Sequence, residues 1–261
     1  MKTIKINESQ KKRLFEAYSE GFSFKDLSTI GRGQFAGEDN TLAQYAYCKK
    51  YLGDAISNGS SRAVFQLNDN FVIKLAMGYD GFMQNEREYK LFLAANSELL
   101  VKIIYCSEDY SYIVSESVIT AREEDFEKIL GIAYSFTYHQ KTKKVKDPNS
   151  INDGDIEIGF DRYFDNIKPY MKKADVSFCG ITDYLSNRID DKKYAEKCEK
   201  TIKSSPWLTK LRDLINDYKL DIDDLFIPNI GVVNRDGKPM LVILDSGLND
   251  NDDNYEFENN Y

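Results

Sequence analysis

Apolar and polar positions divide the chain into stretches of two different periods. Over residues 8–20, Leu14, Phe15 and Tyr18 fall on one side of a helix, with Lys11, Lys12 and Glu16 on the other. A second helical stretch centres on 41–48, preceded by Gly31, Gly33 and Gly37. From Gly53 the period shortens to two. Ala63, Phe65 and Leu67 alternate with Val64 and Gln66, and Asn68-Asp69-Asn70 supplies the residues of a hairpin turn. The next run, Phe71-Val72-Ile73-Lys74-Leu75-Ala76, is apolar on both faces except for Lys74. A helix is predicted over 82–96, then strands over 99–106 and 110–118 around a short polar turn. The order is strand, strand, helix, strand, strand.

The second half alternates less cleanly. Helices are predicted near 122–140 and 181–202, with the polar region 141–155 between them. Ser205-Pro206 reads as a helix start, an N-cap serine followed by proline at the first helical position. Leu208, Leu211, Leu214, Ile215 and Tyr218 then form one stripe. A hairpin ends the pattern, with strands at 230–233 and 240–244 around Asn234-Arg235-Asp236-Gly237, running into Asp245-Ser246-Gly247.

Composition narrows the function classes. Apolar residues make up 42% of the 261 and charged residues 30%, the balance of a soluble globular protein. No apolar run approaches the roughly 18 residues of a membrane span, and the N-terminus lacks a signal-peptide core, so a cytoplasmic protein without a membrane partner is expected. A net charge of −8 argues against a nucleic-acid partner. Asp250, Asp252, Asp253, Glu256 and Glu258 read as a solvated acidic tail over 248–261. Cys48, Cys106, Cys179 and Cys198 show no metal-like pairing and read as reduced thiols. His139 is the single histidine, which excludes any mechanism built on paired histidines. The cluster Lys141-Thr142-Lys143-Lys144-Val145-Lys146 reads as a solvated loop, with an anionic acceptor as the alternative. The abundance of Asn, Lys, Ile and Tyr suggests an AT-rich genome, consistent with a phage or bacterial source.

The candidate chemistry begins at Lys74. A lysine within a strand apolar on both faces either snorkels at a sheet edge or is paired or bound to an anion, since an isolated buried ammonium is costly. Upstream, Asn58-Gly59-Ser60-Ser61-Arg62 is a small-residue turn that either brings backbone N–H groups to a phosphate or simply turns. Asp224 precedes Leu225, and Asn229 follows five residues on, the D-L-x-x-x-N spacing of a kinase catalytic loop. Asp245 ends an apolar strand. A carboxylate and an amide flanking one hairpin are hard oxygen ligands suited to Mg²⁺ carried with a nucleotide.

Together, Gly59-Ser60-Ser61-Arg62-Ala63-Val64, Val72-Ile73-Lys74, Glu88, residues 112–118, 224–229 and Asp245-Ser246-Gly247 resemble the protein-kinase-like superfamily. The pattern looks closest to the small atypical branch of aminoglycoside phosphotransferases and phage- or bacteria-encoded kinase-like proteins. The resemblance covers about 55–247 and implies an α+β, bilobal fold. Its parts would be a helical N-terminal extension (1–50), an N-lobe with a five-stranded antiparallel sheet (51–118), a mainly helical, truncated C-lobe (119–247) and the acidic tail. It also implies ATP and Mg²⁺. Gly59, Ser60 and Ser61 would border the phosphates, and Val64 and Val72 would roof the adenine. Lys74 would hold the α/β-phosphates, positioned by Glu88, with Glu86 as the rival. Glu116-Ser117-Val118 would be the hinge pairing with adenine. Asp224 would be the catalytic base, and Asn229 and Asp245 the metal ligands.

The departures bear on function. The usual H-R-D is Ile222-Asp223-Asp224, so control through a phosphorylated activation loop is not expected. D-F-G is Asp245-Ser246-Gly247, and the glycine loop has one glycine. Only a short acidic stretch follows Gly247, so no late C-lobe helices, the usual platform for a protein substrate, are expected. The function implied is γ-phosphoryl transfer from ATP to an unidentified acceptor, protein or small molecule. The alternatives are an inactive nucleotide-binding pseudokinase with a structural or regulatory role, and a kinase-fold nucleotidyltransferase moving AMP.

Overall fold

A computed structural model describes residues 21–31, 38–135 and 176–245. The helix expected over 8–20, His139, the lysine cluster at 141–146, Ser246-Gly247 and the acidic tail lie outside the described residues. The architecture is mixed α+β, and the chain divides into two compact units, Met1–Thr120 with Asp213–Tyr261, and Ala121–Arg212. No helix among the described residues is long and apolar enough to cross a membrane.

The first unit is built on a five-stranded antiparallel sheet of order β1-β2-β3-β5-β4. Its strands are β1 (Ser57–Asn58), β2 (Arg62–Asn68), β3 (Phe71–Ala76), β4 (Ile103–Cys106) and β5 (Tyr112–Glu116). The β2–β3 turn forms where expected, closed by the Asn68 carboxamide oxygen, which accepts from the backbone N–H groups of Asn70 and Phe71. Alternation decides the two faces of the sheet. Ala63, Phe65, Leu67, Ile73, Leu75, Tyr112 and Val114 form one core with Phe22, Phe24, Leu27 and Cys48. The last two lie on helices α1 (Phe24–Gly31) and α2 (Glu38–Leu52), so these helices cover that face. Burying each large side chain there contributes about 1.5–3 kcal/mol. The buried Gln44 amide bonds the Leu27 carbonyl and the Ser111 hydroxyl, fastening α2 to both α1 and the sheet.

The opposite face carries Val64, Val72 and Lys74, with Val64 directly across from Lys74. Helix α3 (Tyr79–Ala95) packs against β3 and ends at Asn96, whose left-handed φ of 43° provides the C-cap. The same unit holds a three-stranded sheet, β6 (Ile119–Thr120), β7 (Ile230–Arg235) and β8 (Lys238–Ile243). The β7–β8 hairpin turns through Asp236 (φ 54°) and Gly237 (φ 78°). Positive φ at both central residues is what a two-residue turn needs to follow the strand twist, and Asp-Gly supplies it. Arg235 joins this hairpin to the larger sheet: it donates to the carbonyls of Glu98 and Leu100 and pairs with Glu116.

The second unit is helical among its described residues and differs from the sequence expectation in two places. The helix expected over 122–140 is α4 (Glu123–Leu130), stopped by Gly131 at φ 72°. The helix expected over 181–202 is two helices, α5 (Phe178–Leu185) and α6 (Lys192–Ser204). The side chains of Ser177 and Asp191 each accept from the first turn of the helix that follows, so each cap starts a helix of its own. Helix α7 (Pro206–Tyr218) begins at the predicted Ser205-Pro206.

Candidate functional site

The face of the sheet away from α1 and α2 gathers charge. Lys74 lies centrally in β3, paired across from Val64 on β2 and Ile113 on β5. Its neighbours are buried, so the ammonium must find acceptors inside the protein. It donates to Glu88 Oε1 at 2.5 Å and to the Leu244 carbonyl at 2.6 Å. The Lys74 and Glu88 side chains are only 9% and 6% exposed. Lys74 is therefore a paired, interior lysine and not one snorkelling at an edge. Burial lowers its pKa and Glu88 opposes the shift, while the neighbouring Arg62 charge adds to the lowering.

Glu88, not Glu86, faces the lysine. Along α3, Gly81, Gln84, Asn85, Glu88 and Leu91 are the buried stripe. Glu86 points away and pairs with Lys90 on the helix surface at 2.8 Å.

Arg62 completes the cluster, a residue for which the sequence reading gave no role. It opens β2 opposite Ala76 and is 7% exposed. Its Nη1 donates to Glu88 Oε2 at 2.5 Å and to Asn85 Oδ1 at 3.3 Å, and its Nη2 donates to Asp245 Oδ2 at 2.8 Å. Burial alone would lower its pKa, but Glu88 and Asp245 outweigh that and raise it. Gln84 also escaped sequence reasoning. Its amide donates to both Asp245 oxygens at 2.8 Å and accepts from Ser61 Oγ at 2.5 Å. The available signal was the run of polar side chains on the helix stripe that otherwise faces the core. Ser115, across from Val72 on the same sheet face, is fully buried, and its Oγ has no hydrogen-bond partner among the described residues.

The two expected loop residues join this cluster through backbone. The Asn229 side chain donates to the Asp224 carbonyl at 3.1 Å, closing the loop between them. The Asn229 carbonyl accepts from Leu244 N at 2.8 Å, and the Leu244 carbonyl is the one that accepts from Lys74. One hydrogen-bonded path therefore runs from Asp224 through Asn229 and Leu244 to Lys74. Gly231, just after this loop, is in a cradle that a Cβ would fill, 2.2 Å from Val118 Cγ1 and 3.0 Å from Leu244 Cδ2.

The small-residue turn and the expected hinge are largely satisfied within the chain. Gly59 N donates to the Arg62 carbonyl and Met77 N to the Ser61 carbonyl, while Ser60 is exposed. Glu116 N donates to the Lys102 carbonyl and Ser117 N to the Asn70 carbonyl. The Glu116 carboxylate accepts from Lys102 N and pairs with Arg235. Of the three hinge residues, Val118 follows these two committed amides.

Asp245, expected as a magnesium ligand, is engaged by donors of the chain itself. Both of its oxygens accept from Gln84, and one also faces a guanidinium nitrogen at 2.8 Å. Magnesium takes oxygen ligands at about 2.0–2.1 Å in near-octahedral geometry. The Asn229 amide nitrogen is turned to its own loop. Among the described residues, no group of three or more His, Cys, Asp or Glu side chains is arranged to hold a metal ion. The cysteines are likewise free of metal-like grouping. Burial pushes the Cys48, Cys106 and Cys198 thiols up to about 12.

No protein-family model matches the chain, and neither does any curated protein. Among solved structures, it is similar to the ternary complex of streptomycin, ATP and APH(2")-IIa, at 13% identity and a TM-score of 0.29, over 77% of this chain and 68% of that one.

Proposed function

We propose that the chain binds ATP against the Lys74 face of the five-stranded sheet and transfers its γ-phosphoryl group to an acceptor hydroxyl, as a kinase-like phosphotransferase. The observation that carries this reading is the buried Lys74–Glu88 pair, whose ammonium also bonds the carbonyl next to Asp245. A strand lysine held by a helix glutamate beside a strand-ending aspartate is the arrangement that orients phosphates in kinases. In this reading Val64 and Val72 cover the adenine, the backbone at Val118 pairs with it, and the turn at Gly59, Ser60 and Ser61 borders the phosphates. Asp224 takes the proton of the acceptor hydroxyl as the new O–P bond forms. The bond from the γ-phosphorus to the β-phosphate bridging oxygen breaks, and ADP leaves with that electron pair. Asn229 positions the Asp224 loop.

The grip of Arg62 on Asp245 favours a second reading, a module that binds nucleotide without transferring phosphate. An assay with γ-labelled and α-labelled ATP across a panel of hydroxyl acceptors separates the readings. Thermal-shift titration with ATP is run alongside. The phosphotransferase reading expects ATP to raise Tm and label to move from the γ position, both weakened by Lys74→Met. A raised Tm without transfer moves the conclusion to the binding module, and transfer only from the α position moves it to a nucleotidyltransferase. No ATP-dependent shift at all would overturn the nucleotide site itself.

A further inference from the structure

We infer that Arg235 is a positioning residue for base selection: by clamping Glu116 it fixes residues 116–118 in one register, so that the site prefers adenine to a purine of reversed hydrogen-bonding pattern. The inference rests on the nucleotide-site reading above, in which the backbone at Val118 pairs with the base. The chemistry sets the need. An extended backbone offers N–H and C=O groups in turn, so a slip of the segment along the base edge presents the opposite pattern. Adenine shows an amino donor beside a ring-nitrogen acceptor. Hypoxanthine, of the same shape, shows a carbonyl acceptor beside an N–H donor. A loose segment meets either base, and a fixed one meets only the first.

The segment is held from two sides. On one, Arg235 at the end of β7 donates to the carbonyls of Glu98 at 2.5 Å and Leu100 at 3.1 Å, and it pairs with the Glu116 carboxylate. The same carboxylate oxygen accepts from Lys102 N at 2.8 Å, and Glu116 N donates back to the Lys102 carbonyl at 2.9 Å. On the other side, Ser117 N donates to the Asn70 carbonyl at 2.7 Å. The Gln66 amide, bonded also to the Phe71 carbonyl at 3.2 Å, donates to Ser117 Oγ at 3.1 Å. Among these contacts the Arg235–Glu116 pair is the charged one, and its side chains are only 15% and 19% exposed. Such a pair is stronger than a neutral hydrogen bond and is little screened by salt. The guanidinium keeps this pose although its Nε is buried without a partner among the described residues, a cost that an arginine turned to solvent avoids.

The test measures the affinity of the full chain for ATP and for ITP, by calorimetry and by competition against ATP. The two share ribose and triphosphate and differ only at that purine edge. Wild type should prefer ATP by about fivefold or more, the worth of one net hydrogen bond. Arg235→Gln should bring the two affinities within about twofold, through weaker ATP binding with ITP little changed. An arginine that serves the fold alone would lower Tm and both affinities together, leaving their ratio where it was. Glu116→Gln keeps an acceptor for Lys102 N but takes the charge from the clamp, so it should narrow the ratio as well, and it decides if Arg235→Gln does not fold. Combining the two substitutions should narrow it no further, because both act through one contact. Wild type that binds ITP as well as ATP, or an unchanged ratio in either folded variant, overturns this inference and leaves the nucleotide site standing. Wild type that binds neither nucleotide overturns the inference and the nucleotide site together.

Discussion

Arg62 Nη2 and Asp245 Oδ2 are 2.8 Å apart, although 183 residues separate them in the chain. The contact joins the first residue of β2 to the second residue beyond β8, beside Glu88 and Gln84 of α3. The candidate site is therefore held by ion pairs as much as by backbone. Its charges can be perturbed singly, and the consequences differ by residue.

Glu88→Gln removes a carboxylate that pairs with both Lys74 and Arg62. Because it leaves buried cations short of a partner, it should destabilise the protein by about 3–5 kcal/mol. Glu86→Gln breaks only a surface pair with Lys90 and should cost less than about 0.5 kcal/mol. Urea unfolding of the two variants checks the assignment, and equal losses would show that Glu88 is not the buried partner.

Asp224→Asn keeps the side chain's size and the backbone carbonyl that accepts from the Asn229 amide and from Phe226 N, so the loop should stay folded. ATP affinity should stay unchanged while phosphoryl transfer falls by about a hundred- to ten-thousand-fold, the range for a general base. Full transfer by this variant would remove Asp224 from the mechanism even with ATP binding intact.

Gly231→Ala places a methyl 2.2 Å from Val118 Cγ1 and 3.1 Å from the Ile119 carbonyl. Overpacking of this kind costs about 1–3 kcal/mol, and the strain falls on the residue proposed to pair with adenine. Tm should drop and ATP affinity should weaken together. A variant with lowered Tm and unchanged ATP affinity would separate Val118 from the nucleotide.

Alkaline pH should destabilise the first unit through Cys48. Its thiol is fully buried, and burial raises its pKa from 9.0 to about 12. Between those values the unfolded chain loses a proton that the folded chain keeps, so stability falls as pH rises. It is intact below about pH 9 and lost progressively toward 12. Cys48→Ala should flatten the decline of Tm across this window relative to wild type, even if its Tm is lower throughout. An unchanged slope would mean that Cys48 does not titrate with unfolding.

The amino-acid sequence by itself determined most of the elements and the kinds of residue they present, though not where the helical stretches over 122–140 and 181–202 end or break. Alternation in β2 and β3 marks which side chains share a face, and it places Val64, Val72 and Lys74 together because the period of a strand is two. The Asp-Gly turn and the Ser205-Pro206 helix start are local chemistry, legible within a few residues. Tertiary structure decided the partners. Glu86 and Glu88 are separated by about 200° around a helix of 3.6 residues per turn, so only the packing of α3 on the sheet selects Glu88. Helices α1 and α2 find their place because the outer sheet face is apolar and needs a cover, which periodicity signals without naming the covering element. Arg62 was visible only as the end of a small-residue turn. That it meets Glu88 and Asp245 depends on contacts between segments far apart in the chain, and no local period encodes the partner of a buried charge.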